Sequence, residues 1–410
     1  MGLPHLLRRA WMRHRHAEVY DGGSRMARTA DVVIIGGGVV GASVAYHLAA
    51  RGQTRVLVLD RAPGRGLGST GRATGGFRAQ FSTRVNVQLS LLARDKLATF
   101  RDEVGTDPGY RPYGYLFLAS THDQLAALQA AVTVQQDAGL GDVKIVTPGE
   151  VADLNPAVPR DAAIGGTYSP SDGFIRPLEI LRGYLGAAQR LGARVEFAAA
   201  RCIVESGRVA AVRTGAETIS TRCVVNAAGP WAGAVAAEAG VDLPVRPVKR
   251  QVAVTYPTTL LPEQMPMTIF VDDGFHLRVR DGRVLLLWPA DLPSDDPFDT
   301  TFDVAWLDGL LSRATAHMPL LRGVEIDRAA CWAGLYEMSP DRHAVLGAAP
   351  GVQGLYLANG SSGHGVMHAP ALGQLAAECV LDGAATTIDV HALRPARFAE
   401  GRLNPETGVL

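Results

Sequence analysis

Apolar residues enter this chain as runs and then change period. Asp31-Val32-Val33-Ile34-Ile35 is β-branched and continuously apolar, the pattern of a strand buried on both faces. From Val39 to about Ala50 the apolar positions follow a helical face, with Gly52 placed to cap its end. Arg55-Val56-Leu57-Val58-Leu59-Asp60 reads as a second strand. Later runs lead into glycine turns in the same way: Cys223-Val224-Val225-Asn226 before Ala227-Ala228-Gly229, and Gly354-Leu355-Tyr356-Leu357-Ala358-Asn359 before Gly360. Helical periodicity returns from Pro370 to Leu381, with Gly383 just beyond. Between these blocks lie further strand patterns at 248–256, 275–280 and 284–288.

The first turn carries chemistry. Gly36-Gly37-Gly38-Val39-Val40-Gly41 fits G-x-G-x-x-G between a strand and a helix. Gly36 permits the tight turn, Gly38 admits a pyrophosphate to the backbone, and Gly41 lets helix and strand pack closely. The helix amides and dipole would face the phosphates. Asp60 ends the second strand and can accept both ribose hydroxyls of an adenosine, with Arg61 beside it. The chain then runs into Gly64–Gly76, where six of thirteen residues are glycine. So many small residues bring backbone close against something, and runs of exposed amides suit a pyrophosphate and a flavin ring. Residues 32–50 contain no Asp, Glu, Lys or Arg, but the glycine cluster and the change of period mark a strand–turn–helix, not a membrane span.

Composition narrows the class. The 410 residues hold 40 Lys+Arg against 40 Asp+Glu, which argues against a nucleic-acid partner, and 47% hydrophobic residues argue against disorder. The length favours two domains. Four scattered cysteines (Cys202, Cys223, Cys331, Cys379) make neither a disulfide framework nor a metal motif, so reduced thiols in a cytoplasmic protein and no bound metal are expected. Residues 1–28 hold six arginines and two acids and lack the apolar run of a secretory signal. They read as a basic, disordered extension, with Met26 a candidate start. Six of the 40 basic residues and two of the 40 acids lie there, which leaves 34 and 38, a net charge of −4, for residues 29–410.

Six separated motifs resemble the D-amino-acid-oxidase-like flavoproteins, the superfamily of sarcosine oxidase, glycine oxidase, dimethylglycine dehydrogenase and proline dehydrogenase FAD subunits. They are the G-x-G-x-x-G unit with Asp60; Gly68-Ser69-Thr70-Gly71-Arg72-Ala73-Thr74-Gly75-Gly76-Phe77-Arg78; Asp172–Pro177; Val224–Ala232 with Ala228, Gly229 and Trp231; Gly334–Asp341; and Asn359–Met367 with Gly363, His364, Gly365 and Val366. The resemblance implies a Rossmann-like α/β domain of the glutathione-reductase type that binds FAD, interleaved with a mixed-sheet α+β substrate domain. On that basis residues 29–95, 150–240 and 325–395 form the FAD domain, and 96–149 and 241–324 the substrate domain.

The resemblance further implies oxidation of a C–N bond beside a carboxylate, with hydride passing to flavin N5, and a small amino acid or amine as substrate. Arg78 matches a substrate arginine and is the candidate carboxylate clamp, since a guanidinium fork binds a carboxylate through two parallel hydrogen bonds; the alternatives are a phosphate-binding or surface arginine. His276 matches a substrate-facing sheet position, or is an ordinary strand histidine. Trp288 falls near a position over the flavin, or packs in the core. His364 sits in the flavin loop and is expected to orient that loop; the alternative is proton transfer. Relatives attach the flavin covalently at positions that are Gly334 and Arg72 here, so FAD is expected to be non-covalent. Lysines that assist oxygen reduction and carboxylate binding in sarcosine oxidase match Val284 and Met367. That departure favours a dehydrogenase with an unidentified electron acceptor over a peroxide-forming oxidase; a subunit of a hetero-oligomeric dehydrogenase and a non-catalytic assembly factor are the other readings.

Overall fold

The computed structural model describes residues 28–215, 217–290 and 294–405. Met26 and the rest of the basic extension up to residue 27 lie outside the described residues. The sequence pattern puts the end of the extension at residue 28, but Arg28 stands in a short strand, Arg28–Thr29, and pairs with Glu196 and Glu217.

One sheet has six strands in the order Val345–Ala348, Leu355–Asn359, Val224–Asn226, Val32–Ile35, Val56–Asp60 and Arg194–Phe197. All are parallel except the first, which runs antiparallel to its neighbour. The parallel strands Val32–Ile35 and Val224–Asn226 are buried throughout, which explains their uninterrupted apolar sequence. Helix Val39–Ala50 follows the first glycine turn as expected and is buried almost all round. It packs between the helices Pro177–Arg190 and Gly365–Asp382. The approach to the latter is so close that a side-chain carbon on Gly373 would lie 2.0 Å from Ser43 Oγ.

A second sheet has eight strands: Trp332–Met338, Arg246–Val254, Arg283–Leu287, His276–Arg280, Met267–Phe270, Tyr115–Ala119, Gly165–Ser169 and Lys144–Val146. It is antiparallel except where Met267–Phe270 runs parallel to Tyr115–Ala119. Its far face carries a second core around Phe275, Leu277, Leu310 and Trp306. A four-stranded sheet flanks the six-stranded one.

Three sequence-drawn boundaries meet strand pairing differently. Gly165–Ser169 and Trp332–Met338 fall in segments assigned to the FAD domain, yet both hydrogen bond into the eight-stranded sheet. Helix Arg84–Val104 runs through the boundary at residue 95, and its apolar face joins the core beneath the parallel sheet. Chain order does not record which edge a strand joins. The C-terminal helix also starts five residues before Pro370, at Gly365. Proline marks a helix start in sequence because it lacks an N–H; here it is carried inside the second turn, at the cost of one backbone hydrogen bond.

Candidate active site

The carboxyl ends of the parallel strands face one surface of the eight-stranded sheet, and between them lies a cavity of about 910 Å³. The glycine turns form one wall. Gly36 has φ +111°, and a side chain there would lie 2.2 Å from the Ala227 carbonyl oxygen, so the first turn and the Ala228-Gly229 turn touch backbone to backbone. Gly363 has φ +94°, with the Tyr336 ring 2.4 Å from where its side chain would begin.

Asp60 sits as expected at the end of its strand, and its carboxylate already holds the turn: Gly37 N–H donates to Oδ2 at 2.7 Å and Ala62 N–H to Oδ1 at 2.7 Å. The helix-start amide of Val39 donates to Thr70 Oγ1 at 3.0 Å, so one amide expected to face phosphate is occupied by a side chain. The Gly68–Gly76 motif is stitched to the sheet wall. Ser69 Oγ donates to Leu335 O at 2.7 Å, Arg72 Nη1 to Ala333 O, and Trp332 Nε1 to Arg72 O at 2.7 Å. Arg61 lies over Trp231, which stacks on Phe298.

Of the residues singled out in sequence, Gly36, Gly38, Val39, Val40, Asp60, Arg61, Ser69, Thr70, Arg72, Ala73, Gly75, Gly76, Ala228, Gly229, Trp231, Gly334, Gly363, His364, Gly365, Val366 and Met367 all line this cavity, together with Arg78, His276 and Trp288. Gly41 does not; it packs against Gly36 O and Ile34, the role its position in the motif gives it. Val284 does not either. Its side chain is fully buried in the core on the other face of the sheet, because alternation along Arg283–Leu287 turns it away. The expectation that Val284 stands beside the ring is therefore corrected.

Arg78 is 5% exposed. Its Nη1 donates to Gln80 O, its guanidinium lies 3.9 Å over the Phe81 ring, and its Nη2 is 3.2 Å from His364 Nε2. Arginine can only donate, so His364 Nε2 holds its lone pair and the ring proton sits on Nδ1. Burial, reinforced by Arg78, holds His364 well below the ordinary histidine range, so it is neutral. Burial also lowers Arg78 to about 10, which leaves it charged at neutral pH. Asp172 holds the segment in place: Ala79 N–H donates to its Oδ1 at 2.6 Å and Gln80 Nε2 to its Oδ2 at 3.1 Å. Burial pushes Asp172 up to about 7.

His276 Nδ1 donates to Gly274 O at 2.8 Å, which leaves its Nε2 as an acceptor. Burial lowers its basicity. Trp288 lines the cavity, and the Arg313 guanidinium covers its ring at 3.6 Å. Tyr115, Met267, Ile269, Arg250, Tyr336 and Glu337 also line the cavity, and the sequence reading gave none of them a role. Tyr336 and Glu337 sat inside a quoted motif; the strand alternation that turns Met267 and Ile269 inward is visible only once the strand is known. Among the described residues, Asp272, Asp273 and His317 bring three ligand-type atoms within 4.8 Å, but Arg313 already pairs with Asp273 at 3.3 Å.

The residues present fit FAD. The turns leave room for a ligand where side chains would fill it, and Glu337 Oε2, in the cavity lining beside the Gly360–Gly365 loop, is buried with no partner among the described residues. No helix among the described residues is long and apolar enough to cross a membrane.

Comparisons agree with this geometry. Over 87% of its length the chain is 29% identical to glycine oxidase of Geobacillus kaustophilus, covering 94% of that protein. It is 29% identical to FAD-dependent oxidoreductase domain-containing protein 1 of Xenopus laevis, over 90% of this chain and 82% of that one. Its structure superposes on L-proline dehydrogenase of P. horikoshii with a TM-score of 0.85 at 29% identity, over 92% of this chain and all of the other. Residues 31–379 match the family described as FAD dependent oxidoreductase, and the chain belongs to that family.

Proposed function

We propose that this protein oxidises the C–N bond of a small amino acid or N-alkyl amino acid, sarcosine-, glycine- or proline-like, by hydride transfer to FAD. The observation that carries the reading is a buried, charged guanidinium, Arg78, in the same cavity as the glycine cradle and His276. The activities for which the relatives are named, glycine oxidase and L-proline dehydrogenase, support it. FAD supplies the hydride acceptor. The protein binds, orients and manages the proton. Arg78 holds the substrate carboxylate. His276, with Nδ1 committed to Gly274 O, receives at Nε2 the proton that a substrate ammonium loses before hydride can leave. Met267, Ile269 and Tyr115 exclude water from that face.

The electrons pass to an acceptor other than oxygen, which makes the protein a dehydrogenase. The cavity lining supports this reading, because among the described residues it contains no lysine. An oxidase reading has its own support: Arg72, Arg78, Arg250 and Arg342 also line the cavity, and a cation there stabilises reduced oxygen. Neither Gly334 nor Arg72 can form a flavin linkage, which supports dissociable FAD. The test is a panel of glycine, N-methyl and cyclic amino acids assayed with an electron-accepting dye and for peroxide, with product analysis. Dye reduction with an imine or keto acid product, little peroxide and flavin released by acid is the expected result. Stoichiometric peroxide would replace the dehydrogenase by an oxidase, and silence across the panel would favour a flavoprotein without turnover.

A further inference from the structure

Glu337 lies in the strand Trp332–Met338, one residue past Tyr336, and lines the cavity where the two walls meet. Its Oε1 accepts a hydrogen bond from the Ser361 backbone N–H at 3.2 Å. Its Oε2 is buried and has no hydrogen-bond partner among the described residues. The surroundings are two glycine turns. A side-chain carbon on Gly365 would stand 3.8 Å from Oε1, and one on Gly229 4.0 Å from Oε2.

A carboxylate without a cation is expensive in such a place, whereas a carboxylic acid with one hydrogen-bond donor to spare is not. The groups that face it are the backbone N–H groups of Gly360 and Ser361, the Ser361 hydroxyl and the Gly229 turn; none carries a charge, and no ion pair is formed by Glu337 among the described residues. Bound FAD removes the remaining water and adds a dianionic pyrophosphate to the same cavity, and both effects disfavour a second anion.

We propose that Glu337 is a neutral carboxylic acid in the FAD-loaded protein, with Oε2–H as a hydrogen-bond donor into the cofactor cavity, and that loading FAD at or above neutral pH takes up one proton from solvent at this residue. Burial already pushes Glu337 up to about 7 before the cofactor is considered. Glu337 is thus a cofactor-positioning residue with a pH limit built in. The inference rests on FAD as the ligand, and not on which amine is oxidised.

The test is the affinity of the protein for FAD, read by flavin fluorescence between pH 6 and 9, in wild type and Glu337→Gln. The amide mimics the neutral acid in size and donor capacity. In wild type the affinity should be level below about pH 7 and weaken by about 100-fold from pH 7 to 9, tenfold for each proton unit. Glu337→Gln should bind FAD as tightly as wild type at pH 6 and lose this dependence. Asp172 and His276 titrate equally in both proteins, so the difference between the two curves reports residue 337. Curves of the same slope, or a level wild-type curve, would overturn the proposal. Should the variant fail to fold, the wild-type holoprotein labelled with ¹³C-glutamate decides the matter. A protonated glutamic carboxyl at pH 8 is expected by infrared spectroscopy, and its absence would refute the assignment. Amine turnover enters neither readout, so failure here would leave the proposed reaction standing.

Discussion

The two walls of the cavity are built by opposite rules. The glycine wall is backbone: Gly36, Gly229 and Gly363 sit at left-handed φ values, and at Gly36 a side chain would run into the Ala227 carbonyl oxygen. The sheet wall is side chain: Tyr115, Met267, Ile269, His276 and Tyr336 project from four strands drawn from three separate stretches of the sequence. A backbone wall tolerates almost no change, because each position is constrained by conformation. A side-chain wall can be rebuilt one residue at a time, and that is where substrate choice resides.

Gly36→Val gives the largest contrast. A side chain there would meet the Ala227 carbonyl oxygen at 2.2 Å in a backbone conformation valine rarely adopts. The variant should purify colourless, or not fold, by flavin absorbance and circular dichroism. Met267→Ala on the opposite wall should keep its FAD. If Gly36→Val stays yellow and Met267→Ala does not, the division between walls fails.

The next effect lies at the edge of the six-stranded sheet, beside Val345–Ala348. Arg397 is fully buried and donates through Nε and Nη2 to Asp341 at 2.8 Å each, in the loop after Trp332–Met338. Burial would raise Asp341, but the Arg397 guanidinium overrides it and holds the carboxyl well below its ordinary range. Arg397→Ala strands a buried carboxylate and should cost about 3–5 kcal/mol by chemical denaturation. A loss below about 1 kcal/mol would mean that the tail and the loop are held by other contacts.

Arg78→Lys tests the junction of the walls. Lysine keeps the charge but not the fork that meets Gln80 O and His364 together. A fall on the order of 100-fold in kcat/KM is expected, the loss of charged hydrogen bonds, with FAD content unchanged. An unchanged kcat/KM would move the carboxylate site elsewhere on the sheet wall.

The smallest effect concerns the core under the glycine wall. His47, on the helix that follows the first turn, donates from Nδ1 to Ser43 O at 2.9 Å, and burial lowers it to about 3. Below pH 6.5 the unfolded chain binds a proton that the folded one refuses, so this residue's stability is present above pH 6.5 and is lost as pH falls toward 3. Between pH 6.5 and 5 the wild type should lose about 2 kcal/mol more than His47→Gln. Parallel pH profiles for the two proteins would show that His47 is charged in the folded state.

The same contrast explains what could be read from the sequence. Conformational demands write themselves into local sequence: Val32–Ile35, Gly36–Gly41, Asp60 and the Gly363–Met367 loop were all recognisable, because strand, turn and helix are consecutive there. The sheet wall was not. Val284 matches the position of a lysine near the flavin in sarcosine oxidase, yet its strand turns it into the core on the other face. Arg78 was visible, but the Asp172–Gln80 clamp and His364 that orient it come together only through the fold. Glu337 was legible as part of a motif and illegible as chemistry, since its meaning depends on burial beside residues some hundred positions earlier and two dozen later in the chain.

The most direct measurement is anaerobic mixing of the FAD-loaded protein with an N-methyl or cyclic amino acid and, separately, with the methyl ester of the same compound. Bleaching of the flavin by the free acid, little or none by the ester, and loss of the difference in Arg78→Lys are the predicted results. Equal bleaching by acid and ester in the wild type, or bleaching by neither across the panel, would contradict carboxylate-directed C–N oxidation in this cavity.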